Sequence, residues 1–81
     1  MSMSARELSV EQKRNVLGGK LRFHRETYYS FEVDAKVARD IGLPAMLESA
    51  IKGMTQVQLI IDTIEKMLLE LQGDAATSDK E

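Results

Sequence analysis

From Pro44 to about Gln72 the apolar residues recur in alternating steps of three and four. Leu47, Ala50, Met54, Val57, Ile61, Ile64, Leu68 and Leu71 form an unbroken heptad seam. That spacing lines one side of an α-helix and suits packing against a second helix. Pro44 stands where a first helical turn tolerates a missing N–H, and Gly73 where a left-handed C-cap would end the element. Glu48–Lys52 and Asp62–Lys66 lie four apart in the favourable order. The pattern predicts a long helix over 44–72, with Leu47, Met54, Val57, Ile61, Ile64, Leu68 and Leu71 as its core or oligomer seam.

Residues 20–41 carry two competing patterns. Leu17, Leu21, His24, Tyr28, Phe31, Ala35 and Ala38 make a second heptad series, with Arg22–Glu26 and Glu32–Lys36 four apart. Tyr29, Phe31, Val33, Ala35 and Val37 also alternate with polar residues, as in a strand. No Gly, Pro or Asn lies between Lys20 and Val37 to turn such a strand. One strand that long would be unusual. The helix is therefore favoured, and the alternative is an α+β fold with a short sheet from residues 20–37 packed on helix 44–72. Ser9-Val10-Glu11-Gln12 matches a capping box, which places a helix start near Val10. Gly18-Gly19 would kink or split that helix, or admit another backbone. Gly42-Leu43-Pro44 makes a tight connection.

The expected fold is all-α: an antiparallel hairpin of two helices, each roughly 45 Å long. The domain spans 9–72, between a flexible segment 1–8 and a flexible acidic tail 73–81. The apolar residues exceed one stripe. Ile60 and Met67 widen the second seam on one side and Ile51 on the other, while Phe23, Tyr29, Val33 and Val37 fall off the first. A broad apolar face calls for further burial. A homo-oligomer, most simply a dimer forming a four-helix bundle, provides it.

Composition narrows the chemistry. The chain has 81 residues and no cysteine, so disulfides and thiolate metal sites are excluded. A chain this short has a marginal core, and oligomerisation is the remaining aid. A content of 43% hydrophobic and 30% charged residues is that of a globular chain. No apolar run reaches the roughly 18 residues of a membrane span, and Met1–Leu8 holds no signal-peptide core. No membrane partner and a cytoplasmic location are expected. The net charge of −2 divides into about +2 for residues 1–41 and −4 for residues 42–81. Opposite halves of this kind attract within or between chains, or simply solvate helix faces.

Catalytic sets are lacking. His24 is the single imidazole, it sits on the first seam, and a hydrogen-bonded histidine at the core edge is the plain reading. Gly18-Gly19-Lys20 lacks the spacing of a phosphate loop. No Glu-x-x-His pair suggests a di-metal bundle. No enzyme activity, metal or cofactor is expected. The one cluster with binding character is Lys20, Arg22, Arg25, Tyr28 and Tyr29. Basic groups beside aromatics hold phosphate and stack on bases, although such side chains also flank hydrophobic seams. The favoured function is a non-enzymatic interaction protein that self-associates and binds another macromolecule, a second protein above all, as an adaptor, assembly chaperone, inhibitor or scaffold, as in accessory proteins of bacteria and phages. The alternative is a nucleotide or RNA binder acting through the basic and aromatic face of the first helix.

Overall fold

The structure, a computed structural model, describes the backbone of residues 8–80 and the side chains of residues 8–73. Two helices account for it: α1, Val10–Ile41, and α2, Pro44–Lys80. They pack against each other as an antiparallel hairpin. No strand occurs among the described residues, so the sheet alternative for residues 20–37 is set aside. The segment from Lys20 to Val37 contains no Gly, Pro or Asn, and its alternation is outweighed by burial along the 3–4 seam.

The helix ends follow from local chemistry. Ser9 Oγ accepts from the Gln12 N–H at 3.0 Å, and Gln12 Oε1 accepts from the Ser9 N–H at 2.8 Å. This reciprocal pair satisfies two N–H groups at the start of α1. Glu11 in the first turn and Arg39 in the last complement the helix dipole. Gly42 adopts the left-handed conformation (φ 76°, ψ 48°), and the Leu43 N–H donates to the Ala38 carbonyl at 2.8 Å. That is how a glycine closes a helix end. Pro44 opens α2 immediately afterwards.

Other local expectations are corrected. The helix does not stop at Gly73 but runs to Lys80. Glycine is only a permissive cap, and Ala75 and Ala76 beyond it are strong helix formers. Gly18 and Gly19 lie inside the continuous α1. Among the described residues a Cβ at either would meet nothing within 4 Å, so no neighbouring backbone there explains them. None of the four expected i,i+4 ion pairs closes. Lys36 meets Asp40 at 3.3 Å, and Asp62 accepts from Gln58 at 2.8 Å. Exposed pairs of this sort are nearly isoenergetic, so long side chains select among partners by fractions of a kcal/mol. Of the flexible segment expected at 1–8, all but Leu8 lies outside the described residues.

The core is graded along the hairpin. Ala35, Ala38 and Ala50 are buried near the turn. Toward the open end Leu21, Val57, Ile61 and Ile64 form a larger cluster, flanked by Leu17, Tyr28, Phe31 and Leu68. Leu47, Met54 and Leu71 complete the second seam, each half-buried or nearly so. Midway, the Phe31 ring lies over Gly53, where a Cβ would come within 2.6 Å of ring atoms.

The molecule measures 59 × 29 × 13 Å, with a radius of gyration of 18.0 Å. A compact chain of 81 residues would have about 12 Å. A thickness of 13 Å is little more than one helix diameter of about 10–12 Å. The hairpin is thus a single layer. It exposes 6342 Å², where a compact monomer of its mass exposes about 4,900 Å².

The glycines separate by context. At Gly53, Ala gains about 1 kcal/mol of helix propensity but overpacks against Phe31 at a cost of about 1–3 kcal/mol. Gly53→Ala is expected to lower stability by about 1 kcal/mol in chemical denaturation. Gly18→Ala and Gly19→Ala are expected to raise it by up to about 1 kcal/mol each. Destabilisation by Gly18→Ala would show that a second chain approaches there.

Candidate interaction surface

The heptad positions divide the exposed residues between the two broad sides of the layer. Residues that follow the seam positions in α1, such as Gly18, Arg22, Arg25 and Tyr29, lie on one side. Those that precede them, such as Val16, Lys20, Phe23 and Thr27, lie about a half-turn away on the other. The grooves follow the same division. Arg14, Gly18 and Arg25 of α1 line one groove with Glu65, Leu69 and Gln72 of α2. Lys13 and Val16 line another with Met67, Glu70 and Leu71.

The first side carries most of the charge, and on it Tyr29, Ile51 and Leu69 are also exposed, at 66%, 44% and 67%. Arg22, Arg25 and Tyr29 share an open groove with Gly18, Leu21 and Glu26. Arg25 Nη2 donates to Glu65 Oε2 at 2.8 Å, joining the two helices. With side chains 59% and 45% exposed, the pair is a solvated bridge. Farther along this side stand Glu32, Lys36 and Arg39 on α1 and Glu48 and Asp62 on α2.

The second side is poor in charge and rich in exposed apolar groups. Val16, Phe23 and Val37 of α1 face the same way as Met46, Ile60 and Met67 of α2. Phe23 is 61% exposed, the most of these six. Thr27, Ser30, Ser49, Gly53, Gln56 and Thr63 fill most of the spaces between them. The charges on this side are Lys13, Lys20, Asp34 and Glu70.

The five residues singled out as a binding cluster do not all lie on one side of the hairpin. Arg22, Arg25 and Tyr29 are together. Lys20 is two residues from Arg22, about 200° around the helix, and lies on the apolar side. Tyr28 lies on the seam, packed against the core cluster, with its edge in a groove beside Met54, Thr55, Gln58 and Leu59. His24 is half-buried and meets the Phe23 ring edge-on, with centroids 5.2 Å apart. Among the described residues the hydrogen bond expected for His24 does not form, and a ring neighbour one residue away contacts it instead. Two features had no local signal in the sequence. Arg25 and Glu65 are 40 residues apart, and Gly53 matters only because Phe31 comes over it.

Among the described residues no group of three or more His, Asp or Glu is placed to hold a metal ion. Among the same residues no helix is long and apolar enough to cross a membrane. Compared with protein families, with characterised proteins and with solved structures, the chain matches none.

The Arg25–Glu65 bridge is expected to contribute less than about 1 kcal/mol, because both ends are solvated. A double-mutant cycle of Arg25→Ala and Glu65→Ala checks this by denaturation at low and high salt. A coupling well above that value, insensitive to salt, would place the pair in a buried interface.

Proposed function

We propose that the chain is a non-enzymatic interaction protein that self-associates and offers its outer surface to another macromolecule. The observation that carries this reading is the single-layer architecture, with exposed apolar groups on both broad sides and most of the charge on one. A stable domain has at least two packed layers enclosing a core. A layer one helix thick buries only the stripe between its helices, and leaves Phe23, Ile60 and Met67 in water. Association removes such groups from water at about 25 cal/mol per Å² of apolar surface. The charged side then remains outward, where an adaptor, inhibitor, scaffold or assembly chaperone would meet its client.

A second reading rests on the groove beside Gly18. Arg22 and Tyr29 offer a guanidinium and an aromatic ring on one face, the pairing that holds a phosphate and stacks a base. Arg25 is committed to Glu65 in the same groove, which weakens the case for a nucleotide or RNA.

Sedimentation equilibrium from low to high micromolar concentration tests the first reading. Dimers or larger closed assemblies are expected. A monomer across the whole range would remove its basis. Fluorescence anisotropy with labelled single-stranded RNA tests the second. Salt-sensitive binding lost in Arg22→Glu would promote it over the first.

A further inference from the structure

The apolar side carries a pattern that reads the same after a two-fold rotation. The contact of Phe31 with Gly53 fixes how the two helices are levelled. Thr27 lies four residues before Phe31, so it stands level with about residue 57, four beyond Gly53. On α1, Lys20 and Asp34 lie seven residues to either side of Thr27. On α2, Gly53 and Ile60 are symmetric about a point between residues 56 and 57, and so are Met46 and Met67. The two centres differ by about half a residue, or about 0.8 Å of helix rise.

We infer that this side binds a second copy of the same chain, with the two-fold axis crossing α1 at Thr27 and α2 near residue 57. The inference rests on the self-association reading and specifies its face, orientation and register. Turning one hairpin over about that axis lays α1 antiparallel on α1 of the partner, and α2 antiparallel on α2. Lys20 then meets Asp34 of the partner subunit twice, once on each side of the axis. Thr27 meets its own copy. On α2 the large Ile60 stands over the small Gly53, and Met46 stands over Met67. The turns lie at opposite ends, and every neighbouring helix pair is antiparallel, as in an up-and-down bundle.

Charge and area agree with this occupant. About the same axis the other broad side would set Glu48 against Glu65 of the partner subunit, alongside one complementary pair, Arg22 and Glu32, whereas the apolar side brings no like charges level and pairs Lys20 with Asp34. Such a pair selects orientation more than it adds affinity. The face of two adjacent helices measures roughly 20 by 45 Å, or about 900 Å². A stable complex uses about 800 Å² from each partner.

The absence of cysteine makes the test clean. Thr27→Cys is expected to give a disulfide-linked dimer under mild oxidation, and Tyr29→Cys, on the charged side, to give none. Lys20→Asp and Asp34→Lys, taken singly, are expected to weaken the dimer about tenfold or more in sedimentation. The double exchange Lys20→Asp with Asp34→Lys should restore it, with helix content by circular dichroism unchanged throughout. A wild-type chain that stays monomeric would overturn both the self-association reading and this interface. An oligomer that ignores both charge reversals and cross-links through Tyr29→Cys would overturn the interface and leave the reading standing. A monomer that instead binds a different chain through Phe23 would hand this face to a heterologous partner.

Discussion

The fold depends on one strip of contact. Leu21 of α1 and Val57, Ile61 and Ile64 of α2 are the large side chains that the hairpin buries, and everything else is arranged around them. Two helices touch along a line, so the buried stripe cannot widen without a third element. This is consistent with small residues sufficing near the turn, where Ala35, Ala38 and Ala50 are buried. It also explains why so many apolar groups are left at the two broad sides. The chain holds more hydrophobic surface than a line of contact can use, and its distribution over the two sides is unequal.

That inequality links packing to function. Charged groups repel a second layer unless each finds a partner, while apolar groups attract one without direction. A layer with charge on one side and apolar rows on the other has a built-in inside and outside. Lys20 and Asp34 add direction to the apolar side, and Arg22, Arg25 and Glu65 keep the opposite side wet. The same division separates the basic residues that proximity in the sequence had grouped.

Much of the fold was legible from the sequence because helices are local. The two 3–4 seams, the Ser9–Gln12 box and the Gly42 end each follow from residues within a few positions. What was not legible depended on the partner helix. The Arg25–Glu65 bridge and the Phe31–Gly53 contact join residues far apart in the chain, and their register appears only once the hairpin is closed. The stop expected at Gly73 failed for a different reason, since glycine permits a helix end without enforcing one. In the candidate cluster at residues 20–29, neighbours in sequence point around the full circumference of a helix, so that only Arg22, Arg25 and Tyr29 share a side. Reading its members by heptad position separates Lys20 from Arg22 with no structure at all.

The left-handed Gly42 has a consequence for how the arms come together. With the reversal confined to Gly42 and Leu43, each successive pairing between the arms encloses only a few more residues than the last. The entropy of closing a loop grows with the logarithm of its length, so once the alanines beside the turn have met, each later rung adds little to what is already closed. The hairpin is topologically a zipper, with its smallest teeth near the hinge and its strongest ones farther along.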